Sequence, residues 1–463
     1  MSKLYLFGIG GTGARVMRSL TMLLASGVKC SMDIVPIIID PDSGADSLTK
    51  AVEAFDSYKM VRDHLQYNSG DDHFFGTLIE EHVNRYCIPL KNTNNQTFGD
   101  YIKIPTMSTE NQALMHMLFS NDNLASDMIV GFKGNPNIGS VVLNQFVSSI
   151  QFQQFANSFQ QGDRIFIISS IFGGTGASGF PLLLKTLRSN NSVPNFNLLN
   201  NSVIGGITVL PYFSVTVDGT SRINSSDFID KTKSALAYYD TNITGTGSID
   251  RLYYIADTSN PTYNNSEGGE TQVNDAHIVE LFSALAIVDF ANAQIVHGNA
   301  TTCYEFGIKE DTQSITFNDL GPMTKQQIVK PLTQFLLFRK YLYHERIKQY
   351  RFQPWAIDAE FDKSFFSSAF ENNVEKMLSL YNIWLDEISG NKRAFAPFDL
   401  KKRQHIFQII QNMDSKHTRL NNYALFDDAL NAEQRPTGLS KEQWFIDLFF
   451  NATNNLFTSK FNL

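Results

Sequence analysis

Apolar positions in the first 260 residues fall into short runs rich in β-branched and aromatic side chains, separated by segments of helical length. Six runs stand out, at 3–7, 34–39, 127–130, 164–170, 203–210 and 251–256. Several are apolar without alternation, as expected of strands covered on both faces, and polar loops rich in Gly, Asn, Ser and Asp follow most of them. Strands spaced by helical segments predict an α/β fold built on a parallel sheet with helices on both faces.

Between Asp40 and Asp127 the interval is long. It holds two helix-like pieces, 45–65 and 74–86, and the polar loop "KNTNNQTFGD", and it reads as an insertion at about 45–126. The stretch "NDAHIVELFSALAIVDFANAQIV" has no Gly or Pro and only scattered polar residues, so it predicts a buried helix of about 35 Å. After Gly298 two short strand candidates, 304–308 and 314–317, lead into a helix-rich end. Phe370, Val374, Met377, Leu378, Tyr381, Trp384, Leu385 and Ile388 form an amphipathic stripe. Ser440 with Gln443 has the spacing of a capping box. The expected organisation is an α/β domain over 1–273, a central helix over 274–297, and a mostly helical region with a small sheet over 298–463.

Composition narrows the class. Of 463 residues, 43% are hydrophobic and 18% charged, which fits a folded globular chain and not a disordered one. A net charge of −8 argues against wrapping nucleic acid, so no nucleic-acid partner is expected. Cys30, Cys87 and Cys303 form no CxxC pair and read as inert thiols in a reducing compartment. The start "MSKLYLFGIGG" is too short for a secretory core and no run reaches membrane-span length, so a soluble, cytoplasmic chain is expected.

Two glycine loops carry the chemistry. Phosphate needs backbone N–H groups that can approach closely, and a following helix adds its positive end. Gly8-Ile9-Gly10-Gly11-Thr12-Gly13 follows the first strand and precedes "ARVMRSLTMLL". Taken alone it is the Rossmann-like dinucleotide fingerprint, with Asp40 at the end of the second strand as the ribose acid. A second loop, "IFGGTGASG", follows the strand at 164–170. Two such loops on neighbouring strands can grip one polyphosphate.

The second loop resembles the tubulin and FtsZ signature, a small residue, then GGTG, then Ser, Ala or Thr, then Gly; here Gly173, Gly174, Thr175, Gly176 and Ala177 stand in it. Phe172 departs at the first position and Ser178 displaces the last glycine to Gly179. Other loops follow in family order. "GNPNIG", with Gly134 and Asn135, is similar to the FtsZ loop that opens the third helix. "LPYFSVTVDGTSR" resembles the stretch with a Pro-aromatic pair, an acid, Gly and Arg, here Pro211, Tyr212, Asp218, Gly219 and Arg222. The resemblance implies phosphate contacts from Gly10, Gly11, Thr12, Gly13 and the two later glycine loops, ribose contact from Asp218, phosphate contact from Arg222, and guanine contact from Asn274. It covers about two thirds of the chain.

The pattern fails at hydrolysis. In that family the loop after the central helix carries an acid that completes the neighbouring subunit's site. Here the loop is "HGNATTCYE", with Thr301 and Thr302 where the acid belongs and Glu305 as the nearest carboxylate, the one candidate catalytic residue. Asp289, in "VDF", resembles the catalytic loop in letters but lies within the helix. The resemblance implies GTP or GDP, with Mg, as ligand, and head-to-tail self-assembly into cytoskeletal filaments with weak or partner-dependent GTPase activity. An accessory protein on the C-terminal helices is a further expected partner. The alternatives are a non-polymerising nucleotide-dependent switch or scaffold, and an NAD-binding oxidoreductase. The histidines make no metal-ligand spacing, so no resident metal site is expected.

Overall fold

The computed structural model describes residues 1–461 apart from 43, 94–95, 129–131, 133, 216–224, 258–260, 264–273, 308–311, 313, 345–351, 404 and 414–421. Its centre is a sheet of six strands: β1 (Lys3–Ile9), β2 (Asp33–Ile39), β3 (Arg164–Ser170), β4 (Val203–Val209), β5 (Arg251–Ile255) and β6 (Thr302–Phe306). The order is β2-β1-β3-β4-β5-β6, and every neighbouring pair is parallel. The direction of winding reverses between β1 and β3, and such a reversal opens a crevice beyond the strands' carboxyl ends.

The helices that build the surrounding layers include α1 (Gly10–Ala25), α2 (Asp46–Arg62), α3 (Pro136–Leu143), α4 (Gly174–Ser189), α5 (Ser225–Tyr239), α6 (Ile278–Asn292), α7 (Pro322–Leu342), α8 (Ala369–Gly390) and α9 (Lys441–Lys460). Two glycines in β4 show how tightly the layers meet. A Cβ built on Gly205 would lie 2.5 Å from the Phe290 ring of α6, and one on Gly206 would lie 2.7 Å from the Phe180 ring of α4. Consecutive strand residues point to opposite faces, so α6 and α4 cover opposite sides of the sheet, and only glycine leaves room for both rings. α1 shares its face with α6; α2 packs on α1 and α3 on α4.

The stripe on α8 is the sequence pattern most directly used. All eight predicted residues are buried. At roughly 1.5–3 kcal/mol per buried side chain, this packing outweighs differences in helix propensity. Trp384 donates to Ser19 Oγ of α1 at 3.1 Å, and Tyr381 donates to the Leu332 carbonyl of α7 at 2.9 Å. Ser440 caps α9 by accepting from the Gln443 N–H at 3.0 Å. Gln443 does not complete the box, because its side-chain oxygen accepts instead from the Gln66 N–H at 2.7 Å.

Four expectations need correction. The run at 74–86 is not a helix. Ile79 and Cys87 bridge to Ile34 and Ile38 of β2 in parallel sense, so the segment forms a broken seventh line on the sheet's edge, while Phe74 stacks on Phe338 with centroids 5.7 Å apart. Its apolar spacing serves two surfaces at once, which mimics a helical stripe. Within 127–130, Asp127 forms an antiparallel bridge to Thr97 and joins no strand of the main sheet, and 129–130 lie outside the described residues. The run starting at 304 begins earlier, as β6, and joins the main sheet; the small sheet of the C-terminal region pairs Ser314–Ile315 with Ala394–Phe395.

The central helix is the fourth. α6 has 15 residues, about 22 Å. It starts at His277, whose Nδ1 accepts from the Val279 N–H at 3.1 Å while Glu280 accepts from the His277 N–H at 3.1 Å. It ends where Asn292 turns to bond the Ser31 N–H and the Lys29 carbonyl, both at 2.9 Å. Asp289 therefore lies in its last turn, where it accepts from Tyr253 at 2.6 Å. That is the amino end of β5, away from the crevice.

Candidate functional site

Both glycine loops flank the crevice at the reversal. β1 passes into α1 with no intervening residue, a turn that puts Gly10 at φ +70°, where a side chain would be strained. A Cβ on Gly13 would lie 2.4 Å from the Gly8 carbonyl carbon, so the first turn of α1 sits directly on the strand end. β3 passes into α4 through a three-residue turn, 171–173, with Gly176 packed against the Ser170 backbone. The loops touch: a Cβ on Gly10 would be 3.4 Å from Thr175 Cβ.

The third loop joins them. A Cβ on Gly174 would lie 3.0 Å from the Asn135 nitrogen and 3.1 Å from the Gly134 nitrogen. Asn135 caps α3 by accepting from the Asn137 N–H at 3.0 Å, and Pro136 takes the first helical position. Lys231 of α5 donates to the Gly134 carbonyl at 2.7 Å, adding a cation. Three helix amino ends thus converge, with the unpaired first-turn N–H groups and the positive partial charge that each carries. The Ala177 amide is already spent on the Gly173 carbonyl at 3.2 Å, which leaves Gly174, Thr175 and Gly176 as the first-turn donors of α4.

The departures from the signature have local causes. Phe172 is buried against Phe213, centroids 5.7 Å apart, and the residue there is hydrophobic because "PYF" covers it. Ser178 donates back to the Gly174 carbonyl at 2.7 Å, and Gly179 faces Ile9, so the glycine is needed one position later than in the signature.

Asp40 ends β2 beside Arg15. Burial pushes its carboxyl up to about 7, against the pull of the Asp42 N–H that donates to it at 3.0 Å. Near neutral pH it can both donate and accept, which suits a hydroxyl partner better than a fixed anion would. Asn274 lies half-buried in the segment before α6 and is not its cap. Asp218 and Arg222 lie outside the described residues. Glu305 is exposed within β6, three strands from β3 and so roughly 14 Å to the side.

A buried polar cluster beside the first loop has no counterpart among the sequence motifs. Arg15, two residues past Gly13, donates from Nε to Glu280 Oε1 at 2.5 Å, and its Nη2 lies 3.4 Å from both Thr12 Oγ1 and Tyr212 OH. Glu280 is 2% exposed, and burial raises its carboxyl despite Arg15. His277 packs against Tyr212 with the rings tilted at 49° and centroids 4.6 Å apart. Burial, with Arg15 and Arg393 nearby, lowers its imidazole to about 3, so it is neutral. Because Nδ1 accepts from Val279, the proton sits on Nε2, a buried donor with no partner among the described residues. The three-residue spacing of His277 and Glu280 was the one local signal for this helix start.

No family model matches the chain, and no curated protein matches it. Among solved structures it is similar to CetZ from Methanosaeta thermophila strain DSM 6194, at 14% identity over 55% of this chain and 46% of that one, TM-score 0.28. It is also similar to CetZ1 from Haloferax volcanii, a GDP-bound monomer, at 12% identity over 55% and 51%, TM-score 0.27. A third is CetZ2 from Haloferax volcanii, a GTPγS-bound protofilament, at 11% identity over 63% and 58%, TM-score 0.30. The chain thus spans about half the length of the first two structures. Likeness at this level carries no weight for the site; the α/β fold rests on the strand order and the site on its own loops.

Proposed function

We propose that the chain binds a guanine nucleotide, its phosphates held between the amino ends of α1, α3 and α4. The observation that carries this reading is the contact of the loops, Gly10 against Thr175 and Gly174 against Asn135, at the reversal of the sheet. Two phosphate loops facing one crevice suit a polyphosphate, whereas a nicotinamide dinucleotide needs one. The base assignment rests on the motif resemblance, with the Nε2 proton of His277 as an unspent donor on the same wall. A magnesium ion would take its ligands chiefly from phosphate oxygens and water, while Asp40 would serve a ribose hydroxyl. Among the described residues no group of three or more His, Cys, Asp or Glu stands ready to hold a metal alone.

On this reading the nucleotide joins copies head to tail into a filament, a heterologous contact that does not close. The test is a pelleting assay with GTP across salt and magnesium conditions, phosphate release being measured in the same tube. GTP-dependent pelleting supports assembly; retained nucleotide without pelleting at any concentration leaves the switch or scaffold reading, which the acid-free loop after α6 favours.

A further inference from the structure

Two basic stretches of the C-terminal region take no part in the crevice. "RKYLYH", 339–344, runs out of the end of α7, and "KKRQH" fills 401–405; together they hold five Lys and Arg and no acid. The fold joins them. Lys340 is 8% exposed, and its ammonium lies beneath the second stretch, donating to the Leu400 carbonyl at 3.0 Å and to the Lys402 carbonyl at 2.8 Å. Lys402 donates onward to the Gln408 carbonyl at 2.9 Å, and Tyr423 donates to the Arg403 carbonyl at 2.8 Å. The loop is thereby held in place while Lys401 and Arg403 stand exposed on it.

Charge works against this arrangement. None of the five cations forms an ion pair among the described residues, although the chain carries 46 Asp and Glu against 38 Lys and Arg. Burial lowers the Lys340 ammonium to about 8, and the Arg339 and Arg403 guanidiniums add to that effect against the pull of Asp399 and Asp386. Arg339 lays its guanidinium over the half-exposed Tyr343 ring, 4.8 Å from the centroid. Like charges held together raise one another's energy, and an arriving anion relieves that strain.

We propose that this surface docks a short acidic peptide segment of a partner protein, whose carboxylates pair with Lys401 and Arg403 above the buried Lys340. An arginine fork matches a carboxylate in two parallel bonds. The surroundings select for a short partner. Acids of α8 border the patch: Tyr343 donates to the Glu375 carbonyl at 3.4 Å, and Asp386 lies close enough to Arg339 to act on its charge. A long polyanion, nucleic acid or anionic membrane, would run on to these acids within about a Debye length, roughly 8–10 Å. A segment of a few acidic residues meets the cations alone. Because the loop is already fixed, docking orders little more of this chain.

The probe is a fluorescently labelled hexaglutamate peptide, its anisotropy read against the full chain. Binding should saturate, and should weaken about tenfold or more between about 50 and 300 mM salt. Lys401→Glu combined with Arg403→Glu should weaken it about tenfold or more with the denaturant midpoint unchanged. Lys185→Glu combined with Lys233→Glu, an equal change of charge on exposed residues elsewhere, should stay within about twofold of wild type. If the patch variant loses its folding transition, Arg403→Gln alone takes its place, with a loss of about threefold or more. No saturable binding by the wild-type chain, wild-type binding by the patch variant, or equal losses in the two double variants overturns the proposal. So does patch-dependent binding of single-stranded DNA or of phosphatidylserine vesicles that is tighter than binding of the peptide, which would give the surface to that partner instead.

Discussion

Gly11 and Gly13 stand two residues apart at the start of α1, yet changing them should have opposite consequences. A Cβ on Gly13 would strike the Gly8 backbone at 2.4 Å, whereas one on Gly11 meets only the ends of Ser47 and Arg15, at 3.1 and 3.4 Å. Gly13→Ala should therefore destabilise the fold by about 2–4 kcal/mol, seen as a lower denaturant midpoint. Gly11→Asp should leave that midpoint nearly unchanged and abolish nucleotide retention, because a carboxylate in this loop would repel the phosphates of the proposed nucleotide. Glu280→Ala should cost about 3–5 kcal/mol, since it leaves the Arg15 guanidinium enclosed without its counter-charge. His277 predicts a pH effect. Its folded value, about 3, lies below the ordinary value near 6.5. Its contribution is complete above that ordinary value and is lost as pH falls toward 3, by up to about 1.4 kcal/mol per pH unit. Compared with wild type, His277→Asn should show a shallower loss of stability between about pH 6 and 4, measured by urea titration at each pH.

At the scale of elements, the close packing of β4 makes a coupled prediction. Gly205→Ala should destabilise by about 1–3 kcal/mol, because its new methyl meets the Phe290 ring. Phe290→Leu should recover part of that loss in the double variant, so the two effects are non-additive in a double-mutant cycle. These elements also show what was legible beforehand. The strands at 164–170 and 203–210 and the α8 stripe were readable because a strand or stripe is written in neighbouring residues. The glycine loops were readable because their glycines answer to backbone geometry within a few positions. The segment at 74–86 was misread because its side chains face the β2 edge and the α7–α9 aromatics, two partners whose combined spacing imitates one helix. Arg15 and Glu280 lie 265 positions apart, so no local pattern could pair them; likewise Asp250 and His297 meet only because β5 and β6 are neighbours.

At the scale of the molecule, the two ends of the sheet carry different chemistry: glycine loops and a buried arginine at one, the Asp250–His297 pair at the other. On the nucleotide reading, that polarity is what a head-to-tail filament would use. Gly11→Asp should then lose GTP-dependent pelleting. The central claim comes before assembly, namely that the crevice between β1 and β3 holds a guanine nucleotide. The most direct measurement is chromatography of the nucleotide released by acid from the purified wild-type chain and from Gly11→Asp. The account predicts about one guanine nucleotide per wild-type chain when saturated and none in the variant. Release of a nicotinamide dinucleotide, or equal guanine nucleotide from both chains, would contradict it.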